Sequence, residues 1–513
     1  MAGSKPSIPP FAWLGRFWAP LGLSLVASVA AFFRLYDLAV LPPGLDETSA
    51  RVGLQAAAVT THDLIPKLDS TNGYSPLWVW LQSISIHIFG HNLLSLRFWP
   101  AALGILAVVI TWLWLNDWFG RRVAWVASLT IAVSPWAVSL SRNGLVSALL
   151  PLATATTLWL SGRALKRPTL GSYVALSIML SIDLLCGPIG WLLVLGVVTI
   201  GIWRLSADSK LKSWSQARTG GMIFFGLGLA SLAYLIYASR ANVINLPKDL
   251  GLSTLTASLG ANIVKVLLMF NVHGDENYRH NLAGEPLLNA FVGLMMIAGL
   301  LVCIARMQQL QYRTLIMLTV LMLVPPTLAV TGSPNSSWAA GALPLIFALT
   351  GIGSNYMLEL WYATFPINSA ARATGQAAII LLLALSLLQG YTQYFRAYAG
   401  STAVYVAYNE GVTQMASGIR KFPFTGERYV VLPQDQFPVL FFLNSDIKNI
   451  KTLTPAELTA LPIATGSRQF YIAAISRDEA VKILKAKFPG GVLRPHYSPF
   501  NQIENYYTYE IVQ

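Results

Sequence analysis

Two adjacent carboxylates, Asp46 and Glu47, lie in the run Leu41-Pro42-Pro43-Gly44-Leu45-Asp46-Glu47, directly after the first apolar segment of the chain. A carboxylate there could take the proton of a sugar or protein hydroxyl while the second acid orients it, which is general base catalysis at a membrane surface. Two solvated loop acids are the plain alternative. Arg142 and Asn143 follow Ser134-Pro135-Trp136 at the end of another apolar segment. A guanidinium at that depth could hold a phosphate through parallel N–H donors, or simply reach up to the lipid headgroups. A third group, Gly274-Asp275-Glu276-Asn277-Tyr278-Arg279-His280-Asn281, continuing to Glu285-Pro286, crowds acids, a cation, an imidazole and amides into one turn before a later apolar segment. Polar density of that kind beside a membrane marks a site. Arg279 and His280 could grip a phosphate. His273 with Asp275 could hold a divalent metal, although one such pair is a sparse ligand set. Asn335-Ser336-Ser337 matches a glycosylation sequon and is expected to be only a turn.

Composition says what must carry these groups. Of the 513 residues, 55% are hydrophobic and 11% charged, with a mean hydropathy of +0.55, too apolar for a soluble enzyme. The net charge of +13 is no sign of a nucleic-acid partner, because Lys and Arg sit in short clusters between apolar runs, as in a membrane protein. A spanning helix needs roughly twenty apolar residues. Runs that reach or approach this lie near 17–36, 97–118, 123–141, 147–165, 171–186, 188–204, 219–238, 287–306, 313–331, 338–358 and 375–395. The first lacks a small-residue cleavage site and reads as a retained helix. Residues 76–90 are too few, and with Gln82, Ser83, Ser85 and His87 too polar, to span. If they lie along the surface, Arg121/Arg122, Arg163/Lys166/Arg167, Lys210/Lys212/Arg218, Arg306/Arg313 and Arg372 all face the cytoplasm; if they span, all face outward. The positive-inside tendency selects the first arrangement.

The expected fold is therefore an α-helical polytopic membrane protein with about eleven transmembrane helices plus interfacial helices. Its N-terminus is cytoplasmic and it sits in a cell membrane of prokaryotic type. Two long external loops, 37–97 and 239–286, are where chemistry belongs, and the second holds a semi-apolar stretch at 253–271 that suits another surface helix. The membrane unit covers 1–395. From 396 to 513 the chain turns polar, with strand-like runs at 428–432, 439–443, 470–475 and 506–512. Capping boxes at Thr454-Pro455-Ala456-Glu457 and Ser476-Arg477-Asp478-Glu479 start two helices there. This predicts a small extracytoplasmic α/β domain. Cys186 and Cys303 fall in apolar runs near opposite membrane faces and are not expected to pair. Trp78, Trp80, Trp99, Trp118, Trp136 and Trp338 sit at predicted helix ends and read as an aromatic belt.

Several of these segments resemble the large membrane glycosyltransferases of the C superfamily (GT-C), specifically the protein O-mannosyltransferase and aminoarabinose transferase branch, family 39. The likeness rests on Asp46-Glu47 after the first span, Gly73-Tyr74-Ser75-Pro76-Leu77-Trp78, Phe89-Gly90 before Ser95-Leu96-Arg97, Ser134-Pro135-Trp136 leading to Ser141-Arg142, and Asn277-Tyr278-Arg279-His280-Asn281 with Pro286-Leu287-Leu288. It covers roughly residues 20–290. The resemblance implies an inverting transfer from a polyprenyl-phosphate sugar to a lipid, glycan or protein acceptor on the outer face. It makes Asp46 the catalytic acid/base residue and places Arg142 and Arg279 on the donor phosphate; the residues themselves add His280 as a phosphate contact and Tyr74, Asp275, Glu276 and Asn277 as substrate-loop residues. Many relatives carry a second Asp shortly after the Ser-Arg motif, whereas Asn143-Gly144-Leu145-Val146-Ser147 stands here. That leaves the second acid's part to Glu47 or to the 275–285 loop. No cofactor beyond the possible divalent metal is implied.

Two rivals remain. A transporter or flippase of lipid-linked sugars would keep ionisable groups in mid-span, and Asp183 is the suspicious one. A ligase of O-antigen type shares the topology.

Overall fold

Within hydrocarbon every backbone donor and acceptor must be satisfied inside its own segment, so long apolar runs become helices. The computed structural model describes residues 14–60, 64–69, 71–206, 211–238, 255–328, 332–421, 427–447, 450–460, 469–474 and 478–512. In it α1 (Leu14–Leu35) leads to a loop and α2 (Glu47–Ala57), then α3 (Pro76–Phe89), α4 (Leu93–Trp118), α5 (Arg121–Val133), α6 (Pro135–Leu140), α7 (Leu149–Lys166), α8 (Leu170–Leu184), α9 (Pro188–Ser206) and α10 (Leu211–Ala238). The later long helices are Leu255–Leu268, Ala290–Ala305, Leu310–Met322, Leu343–Thr364 and Ser369–Tyr391.

Four described helical stretches are long and apolar enough to cross a bilayer, Leu93–Trp118, Ala217–Leu235, Ala340–Thr364 and Ser369–Tyr398, and five apolar helices are shorter. Several runs read as single spans are broken by proline. The run 123–141 divides at Ser134-Pro135 into α5 and α6, and 313–331 stops at Met322 before a turn holding Pro325 and Pro326, since proline lacks the donor that continues a helix. Close packing replaces the hydrophobic effect as the force between helices in lipid. Ala290–Ala305 and Leu343–Thr364 meet at Gly299 and Gly353, where an added Cβ would lie 1.9 Å from the Leu349 carbonyl and 2.0 Å from the Met295 carbonyl. Helix α3 is capped by Ser75, whose hydroxyl accepts the Trp78 amide at 3.1 Å. Its 14 residues span only about 21 Å, and it packs on α2 and α4.

The C-terminal residues build a mixed sheet in the order β2-β1-β3-β5-β4, from β1 (Glu427–Val431), β2 (Ile450–Leu453), β3 (Gln469–Ala474), β4 (Val492–Tyr497) and β5 (Glu504–Val512). The expected strand at 439–443 is instead a helix, Phe437–Leu443, with Pro438 in its first turn and Val439, Leu440 and Phe442 buried. A five-residue apolar run has no period that separates the two states, and packing against α2 decided it. Strands β2 and β4 were not anticipated. The Thr454–Glu457 capping box forms, with the Thr454 amide 2.7 Å from Glu457 Oε2. The box starting at Ser476, Lys210 and residues 239–254 lie outside the described residues. Cys186 and Cys303 are both free and buried. The aromatic belt is only partly one: Trp78 and Trp136 are fully interior, and Trp136 donates to the Ser336 carbonyl at 3.0 Å.

Candidate functional site

The loop after α1 is held by two buried arginines acting as donors to backbone carbonyls. Arg97 on α4 reaches Leu38 at 3.1 Å, Pro42 at 2.7 Å and also Gly44. Arg142, wholly buried, reaches Phe33 at 3.1 Å, Tyr36 at 2.7 Å and Leu41 at 3.0 Å. Its guanidinium also lies against the Tyr394 and Phe395 rings, 5.5 and 5.4 Å from their centroids. The phosphate contact expected of Arg142 is therefore not what its geometry offers. Its two terminal nitrogens are engaged by carbonyls, it is sealed from solvent, and it does not line the cavity described below.

Asp46 emerges from this loop as the N-cap of α2, buried, with Oδ1 accepting the Ser49 amide at 2.9 Å and Oδ2 the Ser49 hydroxyl at 2.5 Å. Each carboxylate oxygen keeps a lone pair beyond these bonds. Glu47, one residue on, turns away and pairs with Arg51 at 2.6 Å in an exposed i,i+4 contact. The adjacent acids thus part company: a helix N-terminus points the cap residue along the axis and the next residue outward. A two-carboxylate arrangement at 46 and 47 does not form.

A cavity of about 530 Å³ opens at the first turn of α2, with Thr48 in its wall and Asp46 just outside it. Its lining mixes apolar side chains, among them Val146, Leu150, Ile189, Leu192, Pro325 and Trp338, with the polar Thr48, Ser147, Asn277, Arg279, His280 and Ser337. Tyr74 and Cys186 also line it. Asp46 stands behind Thr48 and Gly144: Gly144 lies so close to Ser49 that an added Cβ would come within 2.6 Å of the serine hydroxyl that binds Asp46. The groups brought to the cavity from distant segments are therefore Thr48 of the acid loop, Gly144 to Ser147 after the Ser-Arg motif, and Asn277 to His280 of the later loop.

The 271–289 loop folds on itself around Asp275. That side chain accepts from the Asn277 amide at 2.8 Å, from His280 Nδ1 at 3.1 Å, and from both the amide and hydroxyl of Ser336 at 2.8 Å. Burial pushes its pKa up, but the hydrogen bond and charge of His280 and the two amides outweigh it and hold the carboxyl below its usual range. Asp275 is thus a tie between two loops with no share in the cavity wall. His273 pairs with the exposed Glu276 at 3.1 Å, so the His273–Asp275 metal pair does not converge, and Glu276 is likewise turned away from the cavity. Among the described residues no cluster of three or more His, Cys, Asp or Glu side chains could hold a metal. Asn335 does form the expected turn, its Oδ1 accepting the Ser337 and Trp338 amides.

Sequence reading missed what holds Arg279. Its carbonyl accepts Asn143 Nδ2 at 2.7 Å and the Tyr408 hydroxyl at 2.8 Å, its Nε donates to the Ala407 carbonyl at 3.3 Å, and the Tyr398 hydroxyl donates to the Tyr278 carbonyl at 2.7 Å. The same Tyr408 hydroxyl lies within reach of Asn143 Oδ1, so its one proton serves either acceptor, and burial raises its pKa, so it stays a neutral donor. A few residues on, Thr413 accepts the Leu45 amide at 3.0 Å. The stretch 398–413 thereby braces the acid loop and the cation loop together. Its one sequence signal was the tyrosine spacing, Tyr391, Tyr394, Tyr398, Tyr405 and Tyr408, which passes for an ordinary helix face. Part of it, Thr392–Tyr398, is π-helical, a rare geometry that tends to occur at functional places.

A family model described as dolichyl-phosphate-mannose-protein mannosyltransferase matches residues 74–227. No curated protein matches the sequence. Among solved structures, ArnT from Cupriavidus metallidurans in the apo state is similar at TM-score 0.56 and 12% identity, over 97% of this chain and 98% of that one. The same protein bound to undecaprenyl phosphate gives 0.53 and 13%, over 96% and 98%. The archaeal oligosaccharyltransferase AglB from Archaeoglobus fulgidus, in complex with an inhibitory peptide and a dolichol-phosphate, gives 0.51 and 14%, over 96% and 74%. These likenesses are of fold. With the family match they bear out the resemblance read from the sequence, to the GT-C membrane glycosyltransferases of the protein mannosyltransferase and ArnT branch.

Proposed function

We propose that this chain, which carries the GT-C glycosyltransferase fold, moves a sugar from a polyprenyl-phosphate donor to an acceptor hydroxyl at the outer face of a cell membrane. The observation that carries the reading is the cavity of about 530 Å³, whose lining combines many apolar side chains with the cation Arg279 and which opens at the first turn of the helix that Asp46 caps. An amphiphile with an isoprenoid chain and a phosphate head fits that mixture. Two of the similar structures hold such molecules, undecaprenyl phosphate in ArnT and a dolichol-phosphate in AglB. In the step itself, Asp46 accepts the proton of the acceptor hydroxyl as its oxygen bonds to the anomeric carbon. The bond from that carbon to the phosphate oxygen breaks with inversion, and the polyprenyl phosphate leaves with the electron pair, its charge met by Arg279. His280, buried and bonded to Asp275, backs this polar end, and Asn277 and Tyr74 shape its walls.

Asp183 speaks against the transporter reading. It is fully buried on α8 with Thr157 of α7 donating to it at 2.6 Å, and it is not in the wall of the cavity that carries the proposal.

The test is Arg279→Ala in a transfer assay titrated with donor. Loss of one charged hydrogen-bond donor to phosphate should raise the donor concentration needed by about ten- to a hundredfold, with acceptor dependence unchanged. A donor titration identical to the unmodified protein would take the phosphate away from Arg279. For orientation, Lys485→Cys on the sheet domain should be labelled by an impermeant thiol reagent on intact cells, and Gln309→Cys only after the cells are opened. The reverse pattern would invert the topology.

A further inference from the structure

A groove of about 580 Å³ runs along α5 between α1 and the helices Leu343–Thr364 and Ser369–Tyr391, with Arg122 at the end away from Asp46. Its walls are apolar, among them Leu25, Val29, Leu129, Val133 and Ile380, and its mouth is closed by Arg122, Tyr362 and Gln376. The Arg122 and Arg372 guanidinium carbons lie 5.4 and 4.7 Å from the centroid of the one Tyr362 ring. Gln376 fixes that ring by donating to its hydroxyl at 2.6 Å. Both arginines are exposed, and among the described residues neither has a carboxylate partner. Glu359, the nearest acid in sequence to Tyr362, is taken by Arg306 at 3.9 Å and Asn355 at 2.8 Å.

We infer that this groove binds a membrane phospholipid with an anionic headgroup, its phosphate between Arg122 and Arg372 and one acyl chain along the apolar wall. Two guanidinium groups gathered on one ring repel each other, and an anion that accepts from both removes that cost through charge-assisted bonds. From Arg122 to Val133 along α5 the groove is about 16 Å long. That is about half of a hydrocarbon core of roughly 30 Å, the depth of one leaflet. The charge at the mouth and the chain-length wall together select a lipid over a soluble anion.

The test uses the purified full chain in detergent, titrated with phosphatidylglycerol, with phosphatidylcholine of the same chains, and with inorganic phosphate, read by native mass spectrometry and thermal unfolding. Phosphatidylglycerol should be retained and should raise the unfolding temperature, while the other two do neither. Arg122→Gln with Arg372→Gln should weaken phosphatidylglycerol retention about tenfold or more and leave the phosphatidylcholine result unchanged. Arg122→Lys with Arg372→Lys should keep part of it, which separates lost charge from lost folding. Equal effects of the two lipids, an equal effect of inorganic phosphate, undiminished retention by the Gln pair, or a lipid-free dimer closed across the groove would each overturn the inference.

Discussion

Asp46→Asn is expected to lower sugar transfer by about 10² to 10⁴-fold, the usual range for a lost general base, while the protein keeps its fold. The structure explains why Asn is the informative change. Asp46 caps α2 through the Ser49 amide, and Asn caps a helix about as well as Asp, so the amide oxygen can take over that bond. What it cannot do is accept a proton at neutral pH. Asp46→Ala removes cap and base together and should cost about 1 kcal/mol of stability in addition. A purified Asp46→Asn protein with an unshifted unfolding temperature and near-normal turnover would remove Asp46 from the chemistry. Glu47→Gln, altering only an exposed pair with Arg51, should leave turnover within about twofold, in keeping with an effect of at most about 0.5 kcal/mol.

Arg142→Ala should damage the molecule instead of its donor affinity. The substitution leaves the Phe33, Tyr36 and Leu41 carbonyls without their donor inside a sealed region and empties the space against Tyr394 and Phe395. Leaving a buried acceptor without its donor costs about 1–3 kcal/mol each, so three orphaned carbonyls take a large part of a typical folding free energy. Poor yield, early unfolding and aggregation in detergent are the expected signs. Arg142→Lys keeps the charge but has one nitrogen where the forked guanidinium has several, so it should be intermediate. Normal unfolding together with a raised donor requirement would return Arg142 to the phosphate and displace Arg279. Asp46 and Arg142 are thus separated by readout: one variant is stable and inactive, the other unstable.

The residues alone were enough for the membrane class, the predominance of helix and the resemblance, because hydropathy and residue type act locally. Twenty apolar residues in a row have few ways to exist, and a capping residue such as Thr454 announces its helix from four positions. They could not say which way a side chain faces once several segments meet. Asp46 and Glu47 are identical in kind and adjacent in sequence, yet the start of α2 buries one and leaves the other half-buried and paired with Arg51. Arg142 and Arg279 are both cations near helix ends on the Asp46 side of the molecule. The first is taken by the carbonyls of a loop more than a hundred residues earlier, which leaves the second at the cavity. The run 439–443 was strand or helix until α2 packed on it. Tyr398 and Tyr408, which brace the acid loop and the cation loop together, show in the sequence only a spacing that passes for a helix face, because their partners, Asn143 and the carbonyls of Tyr278 and Arg279, lie more than a hundred residues away. Burial and hydrogen bonding are properties of what surrounds a residue, and for these positions the surroundings come from distant parts of the chain.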